Sequence, residues 1–185
     1  MQLYKEVDIL HNKKMIIWLN VLSLVLVVGF WILFAQLASF SHPDLSLFSK
    51  LEIAEMFILS IGFFILIIVH ELIHGLFFKL FTPEGKVTFG FKNGMAYAAS
   101  VGNYYSKMKY AIIILAPFVF LTLLLTLLFY LEWITPFMYI SLASIHAGAC
   151  VGDFYYILLL IRAPKNIVVE DTSIGMSMFF DPQHT

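Results

Sequence analysis

Apolar residues in this chain run on with almost no polar interruption in four stretches, 15–38, 53–81, 110–131 and 133–161. A run of about 20 apolar residues, rising 1.5 Å per residue, is long enough to cross the hydrocarbon core of a bilayer. The pattern therefore predicts four transmembrane helices. The first run, preceded by Lys13 and Lys14, exceeds the roughly 7–15 residues of a signal-peptide core and is expected to stay in the membrane. Pro117 lies inside the third run, where it removes a backbone donor and is expected to bend the helix. Trp18, Trp133 and several tyrosines fall near the run edges, as interfacial anchors do.

Between the second and third runs the pattern changes. Val87-Thr88-Phe89-Gly90-Phe91 and Met95-Ala96-Tyr97-Ala98-Ala99 flank Lys92-Asn93-Gly94. Asn-Gly between two strand-like segments is a strong hairpin signal, so a small β-hairpin is expected over about 86–99, at the membrane surface. The tail, 163–185, mixes polar and apolar residues without a readable period. The expected fold is an all-α integral membrane protein of four helices, with that hairpin between the second and third, and residues 1–185 form one membrane domain.

Composition agrees: 61% of residues are hydrophobic and 12% charged, against about 45–50% and 25% for soluble domains. The net charge is −1 and no charge run occurs, so nothing points to nucleic acid. The single Cys150 excludes an internal disulfide and a cysteine zinc cluster, leaving His and carboxylates to hold any metal. With the N-terminus inside, Lys5, Lys13, Lys14, Lys79, Lys86, Lys92, Lys107, Lys109, Arg162 and Lys165 all fall on the inner side and only Lys50 on the outer. Both termini and the hairpin are expected to face the cytoplasm of a bacterial plasma membrane.

The second run contains His70-Glu71-Leu72-Ile73-His74. On a helix the i, i+4 spacing puts both imidazoles on one face, where they can share a zinc ion, and Glu71 stands beside the first ligand, placed to take a proton from water. Packing histidines beside a stray glutamate are the plainer reading. A carboxylate at the centre of a span costs about 2.5–3.5 kcal/mol even on insertion scales, and is retained where it does something.

Catalytic zinc usually takes three protein ligands. His70 lies nine residues before Lys79, and Asp153 nine residues before Arg162, which puts the two at similar depth. His146 lies seven residues earlier, about 10 Å further along a straight helix. Depth selects Asp153 as the third ligand. Ser144, Gly148 and Gly152 form a small-residue stripe ending at Asp153, which would let helix backbones approach closely. His146 has two readings, a polar helix-to-helix bond or a donor to an oxyanion near the metal, in a fourth helix expected to be straight.

These residues together resemble the intramembrane zinc metalloproteases of the site-2 protease type, and more closely the short bacterial membrane proteins of the DUF3267 family, described as zincin peptidases. The resemblance rests on the His-Glu-x-x-His span, the hairpin-bearing loop, Ala116-Pro117 and Gly152-Asp153, and covers roughly 53–162. Site-2 proteases carry a Leu-Asp-Gly context and an Asn-Pro motif that orients the substrate carbonyl. Here the context is Val151-Gly152-Asp153-Phe154 without Asn-Pro, which makes His146 the substitute for that role. The resemblance implies a zinc metallopeptidase that cleaves a membrane protein or peptide substrate, with Zn2+ on His70, His74 and Asp153 and Glu71 as general base. The competing reading is a metal-binding membrane protein or zinc transporter without peptidase activity. Oligomeric state is not legible.

Overall fold

The computed structural model describes residues 1–9, 11–41, 53–92 and 95–181. The Asn93-Gly94 turn and Lys50 lie outside the described residues. The elements are β1 (Leu3–Asp8), α1 (Lys13–Ser41), α2 (Ile53–Phe81), β2 (Thr88–Lys92), β3 (Met95–Ala99), β4 (Tyr104–Ser106), α3 (Lys107–Tyr130), α4 (Pro136–Ala149), α5 (Val151–Arg162), β5 (Ile167–Thr172) and β6 (Gly175–Phe180). The chain is mostly helical but not all-α, because six strands accompany the helices among the described residues. Among the described residues three helices, α1, α2 and α3, are long and apolar enough to cross a membrane, and a fourth span results if α4 and α5 are one bent span. Such a chain is consistent with a membrane protein.

The helices begin where side chains can satisfy free backbone donors. Asn12 Oδ1 accepts from the Met15 N–H at 3.1 Å at the start of α1. Thr135 Oγ1 accepts from the Met138 N–H at 3.2 Å at the start of α4, and Pro136 follows at a position whose N–H would have no partner anyway. Pro117 lies inside α3 without ending it.

The chain divides into two compact units. The first comprises residues 1–19, 69–117 and 152–185. Its four-stranded sheet runs β1-β6-β5-β4, every pair antiparallel, and β2-β3 forms a separate two-stranded hairpin. Ile167, Val169 and Asp171 alternate with less buried residues along β5, while Met176 and Met178 of β6 are fully buried. Tyr105 of β4 packs its ring against Phe78 of α2 and meets Ser100 Oγ through its hydroxyl at 2.6 Å. Gly102 adopts φ +79, where glycine has no steric penalty, and its N–H donates to Glu170 at 2.8 Å.

The second unit comprises residues 20–68 and 118–151. Its packing is aromatic, with Phe129 and Tyr139 stacked at 4.6 Å between centroids and Tyr139 meeting Phe34 edge-on at 5.6 Å. The fourth apolar run is not one straight helix, because α4 ends at Ala149, Cys150 stands outside it and α5 starts at Val151. In an unbroken helix the Gly148 carbonyl would accept from residue 152. Here it accepts from the Ser23 hydroxyl at 2.9 Å, so the break does not leave that oxygen without a partner. A side-chain carbon at Gly148 would collide with Val27, so this glycine of the stripe serves a close approach to α1, whereas one at Gly152 would meet nothing within 4 Å and the stripe does not continue as a contact to Asp153.

Candidate metal centre

The first compact unit gathers His70 and His74 from α2 and Asp153 from α5. Helical spacing stacks the two imidazoles one turn apart, with their Nε2 atoms 3.1 Å from each other. Asp153 approaches through both oxygens, Oδ2 to His70 Nε2 at 3.3 Å and Oδ1 to His74 Nε2 at 3.5 Å. All three side chains are largely withdrawn from solvent, at 14%, 8% and 13% exposure in the order His70, His74, Asp153. Asp153 sits in the first turn of α5. A carboxylate there is favoured by the positive end of the helix dipole, although it stands in an apolar run.

The His74 ring is oriented from behind. Its Nδ1 lies 3.0 Å from the Ile113 carbonyl oxygen on α3, which can only accept, so Nδ1 carries the proton and, in the neutral ring, Nε2 is left to present its lone pair to the cluster. Nothing in a side-chain motif signals this acceptor, since it is a backbone oxygen on a fully buried residue.

The arrangement fits a zinc ion on chemical and metric grounds. Two imidazole nitrogens and a carboxylate oxygen are donors zinc accepts, and tetrahedral bonds of about 2.0–2.2 Å hold such atoms about 3.3–3.5 Å apart. The two His–Asp153 separations, 3.3 and 3.5 Å, fall at that spacing, and the two imidazole nitrogens, at 3.1 Å, lie slightly inside it.

Glu71 follows His70 directly on α2 and is half-buried. The Ala98 backbone of β3 lies within electrostatic reach of its carboxylate, so the hairpin lies beside the acid. The hairpin also packs on the helix at Gly75, where an added side-chain carbon would collide with the Phe89 ring. Glycine next to His74 thus lets β2 come against the turn that carries the cluster. His146 belongs to the second unit, on α4, buried at 3% exposure with Nε2 3.7 Å from Cys150 Sγ.

Comparison with curated proteins and with solved structures gives no match. Residues 63–168, more than half of the chain and including His70, Glu71, His74 and Asp153, match a family described as "Putative zincin peptidase". That description points to a zinc metallopeptidase. The chain belongs to the DUF3267 family.

Proposed function

We propose that this protein is an intramembrane zinc metallopeptidase of the site-2 protease type, which hydrolyses a peptide bond in or next to a membrane-embedded substrate. The observation that carries the reading is the convergence of His70, His74 and Asp153 at zinc-ligand spacing. Bound zinc supplies a Lewis acid that brings the pKa of water toward about 7 and polarises a carbonyl.

The chain's own residues do the rest. Glu71 takes the proton from the attacking water and returns it to the leaving amine. The Ala98 backbone of the hairpin stands beside that carboxylate. Ile113 holds His74 in the tautomer a ligand needs. His146 is proposed for the oxyanion by residue type alone, in place of the Asn-Pro motif that site-2 proteases carry and this chain lacks. A helical substrate hides its amides in its own hydrogen bonds and must unwind before attack. The mostly exposed β2 strand of the two-stranded hairpin offers backbone donors and acceptors to an extended segment.

The test pairs zinc content with cleavage in Glu71→Gln. The variant should keep its zinc and generate none of the membrane-protein fragments found by proteomics in cells with the wild type. Identical fragment sets from the two would overturn the peptidase, and zinc flux into proteoliposomes without cleavage would establish a transporter instead.

A further inference from the structure

Asp171 is a buried acid that the proposed chemistry does not use. It stands on β5 in the row Ile167, Val169, Asp171 that faces the interior, and is 5% exposed. A carboxyl group at a core position is costly unless it is hydrogen-bonded. Its Oδ1 accepts from the Tyr110 hydroxyl at 2.6 Å, and Tyr110 is fully buried.

Tyr110 lies in the first turn of α3, three residues before Ile113, whose carbonyl holds His74. Residues three apart on a helix are neighbours one above the other. The start of α3 is further held by Lys107 Nζ, which donates to the Ala163 carbonyl at 2.8 Å just past α5, and by β4, which pairs with β5 and runs directly into the helix. The one buried side-chain bond among these tethers is Tyr110 to Asp171.

We propose that Tyr110 and Asp171 form a positioning pair for the metal site, fixing the rotation and depth of the first turn of α3 and, through the Ile113 carbonyl, the ring orientation of His74. Asp171 falls beyond the residues matched to the family, so the C-terminal hairpin adds support that the matched segment does not contain. The inference rests on His74 being a zinc ligand.

The test is zinc affinity of the full-length protein in detergent, measured by competition with a chromophoric chelator. Wild type, Tyr110→Phe, Asp171→Asn, the double variant and His74→Ala are compared, alongside thermal midpoints of the zinc-free forms. Tyr110→Phe keeps the ring and removes only the hydroxyl, so it reports even if Asp171→Asn folds poorly. Each single variant should bind zinc about 10-fold more weakly or worse, as changes behind a metal ligand do, and the double variant no more weakly than the worse single one. Wild-type affinity in both single variants, with zinc lost in His74→Ala, would overturn the positioning role and leave the metal site standing. A lowered midpoint with unchanged affinity would do the same, since a purely structural bond behaves that way. Zinc held equally by wild type and His74→Ala would overturn the site and this inference together.

Discussion

The Nε2 atoms of His70 and His74 face each other across 3.1 Å on successive turns of α2. If both nitrogens are unprotonated their lone pairs repel at that distance, and a carboxylate from Asp153 turned toward both adds negative charge. The set needs a positive charge among the three, either a proton on an imidazole or a metal ion, and two nitrogens with one carboxylate are donors that suit zinc better than oxygen-seeking Mg2+ or Ca2+. Helix periodicity supplies the stacking of the rings, but the bond from His74 to Ile113 supplies the angle at which they meet.

The first prediction is one zinc per chain, dependent on Asp153. Asp153→Ala should weaken zinc binding by about 10-fold or more, by comparison with the 10–100-fold losses seen for groups behind a ligand. Removing the metal by chelation should lower the thermal midpoint of the wild type, because a ligand at 100 times its Kd contributes about 2.7 kcal/mol. Metal analysis showing equal zinc in wild type and Asp153→Ala would remove Asp153 from the site.

Some of this architecture is legible in the chain and some is not, for identifiable reasons. His70, Glu71 and His74 stand out because ionisable residues are rare in an apolar run and their spacing is that of a helix face. Asp153 can be reached only through depth, by counting from Arg162. The break at Cys150 is hidden, since Gly148 and Gly152 read equally well as a packing stripe in a straight helix. The four-stranded sheet is hidden for two reasons. β1 and β6 pair across nearly the whole chain length. The Ser173-Ile174 link between β5 and β6 has no Asn-Gly signal, and neither residue takes a positive φ; the Thr172 hydroxyl instead donates to the Gly175 carbonyl at 2.9 Å. Ile113 is invisible in principle, because its contribution is a backbone oxygen.

The second prediction concerns Gly148. Its missing side chain is filled by Val27, and the Ser23 carbonyl oxygen lies 3.0 Å from where a first carbon would stand. Gly148→Ala should destabilise the protein by about 1–3 kcal/mol, as overpacking does. Adding Val27→Ala should restore part of that loss, because it frees the side-chain clash but not the backbone one. A double variant no more stable than Gly148→Ala would show that the contact with Val27 is not the cause.

The third prediction is that the hairpin faces the cytoplasm, motivated by the concentration of basic residues in the segments on its side. Lys92 is exposed at the end of β2. In a Cys150→Ser background, Lys92→Cys should react with a membrane-impermeant thiol reagent only after the cells are permeabilised. Labelling of intact cells from outside would invert the topology.

The fourth prediction follows from the environment of Asp171. Burial pushes its carboxyl up from an ordinary value of 3.8 to about 7, against the lowering effect of the Tyr110 hydroxyl, the positive charge of the His74 ring when that ring is protonated in the zinc-free protein, and the Ser100 backbone, with the Glu71 charge raising it further. A carboxyl raised on folding binds its proton more tightly in the folded chain than in the unfolded one. Between about pH 4 and pH 7 the folded state therefore carries the extra proton, and stability falls as pH rises. The contribution is fully present below the unfolded value and is lost by the time pH passes the folded one, a change of about 4 kcal/mol at about 1.4 kcal/mol per unit. An asparagine has no such proton to lose. Zinc-free wild type should lose thermal stability relative to zinc-free Asp171→Asn as pH is raised from 5 to 8, while other titrations cancel in the comparison. Parallel stability profiles for the two proteins across that range would show that Asp171 is ionised throughout, with its charge met by donors beyond Tyr110 and Ser100.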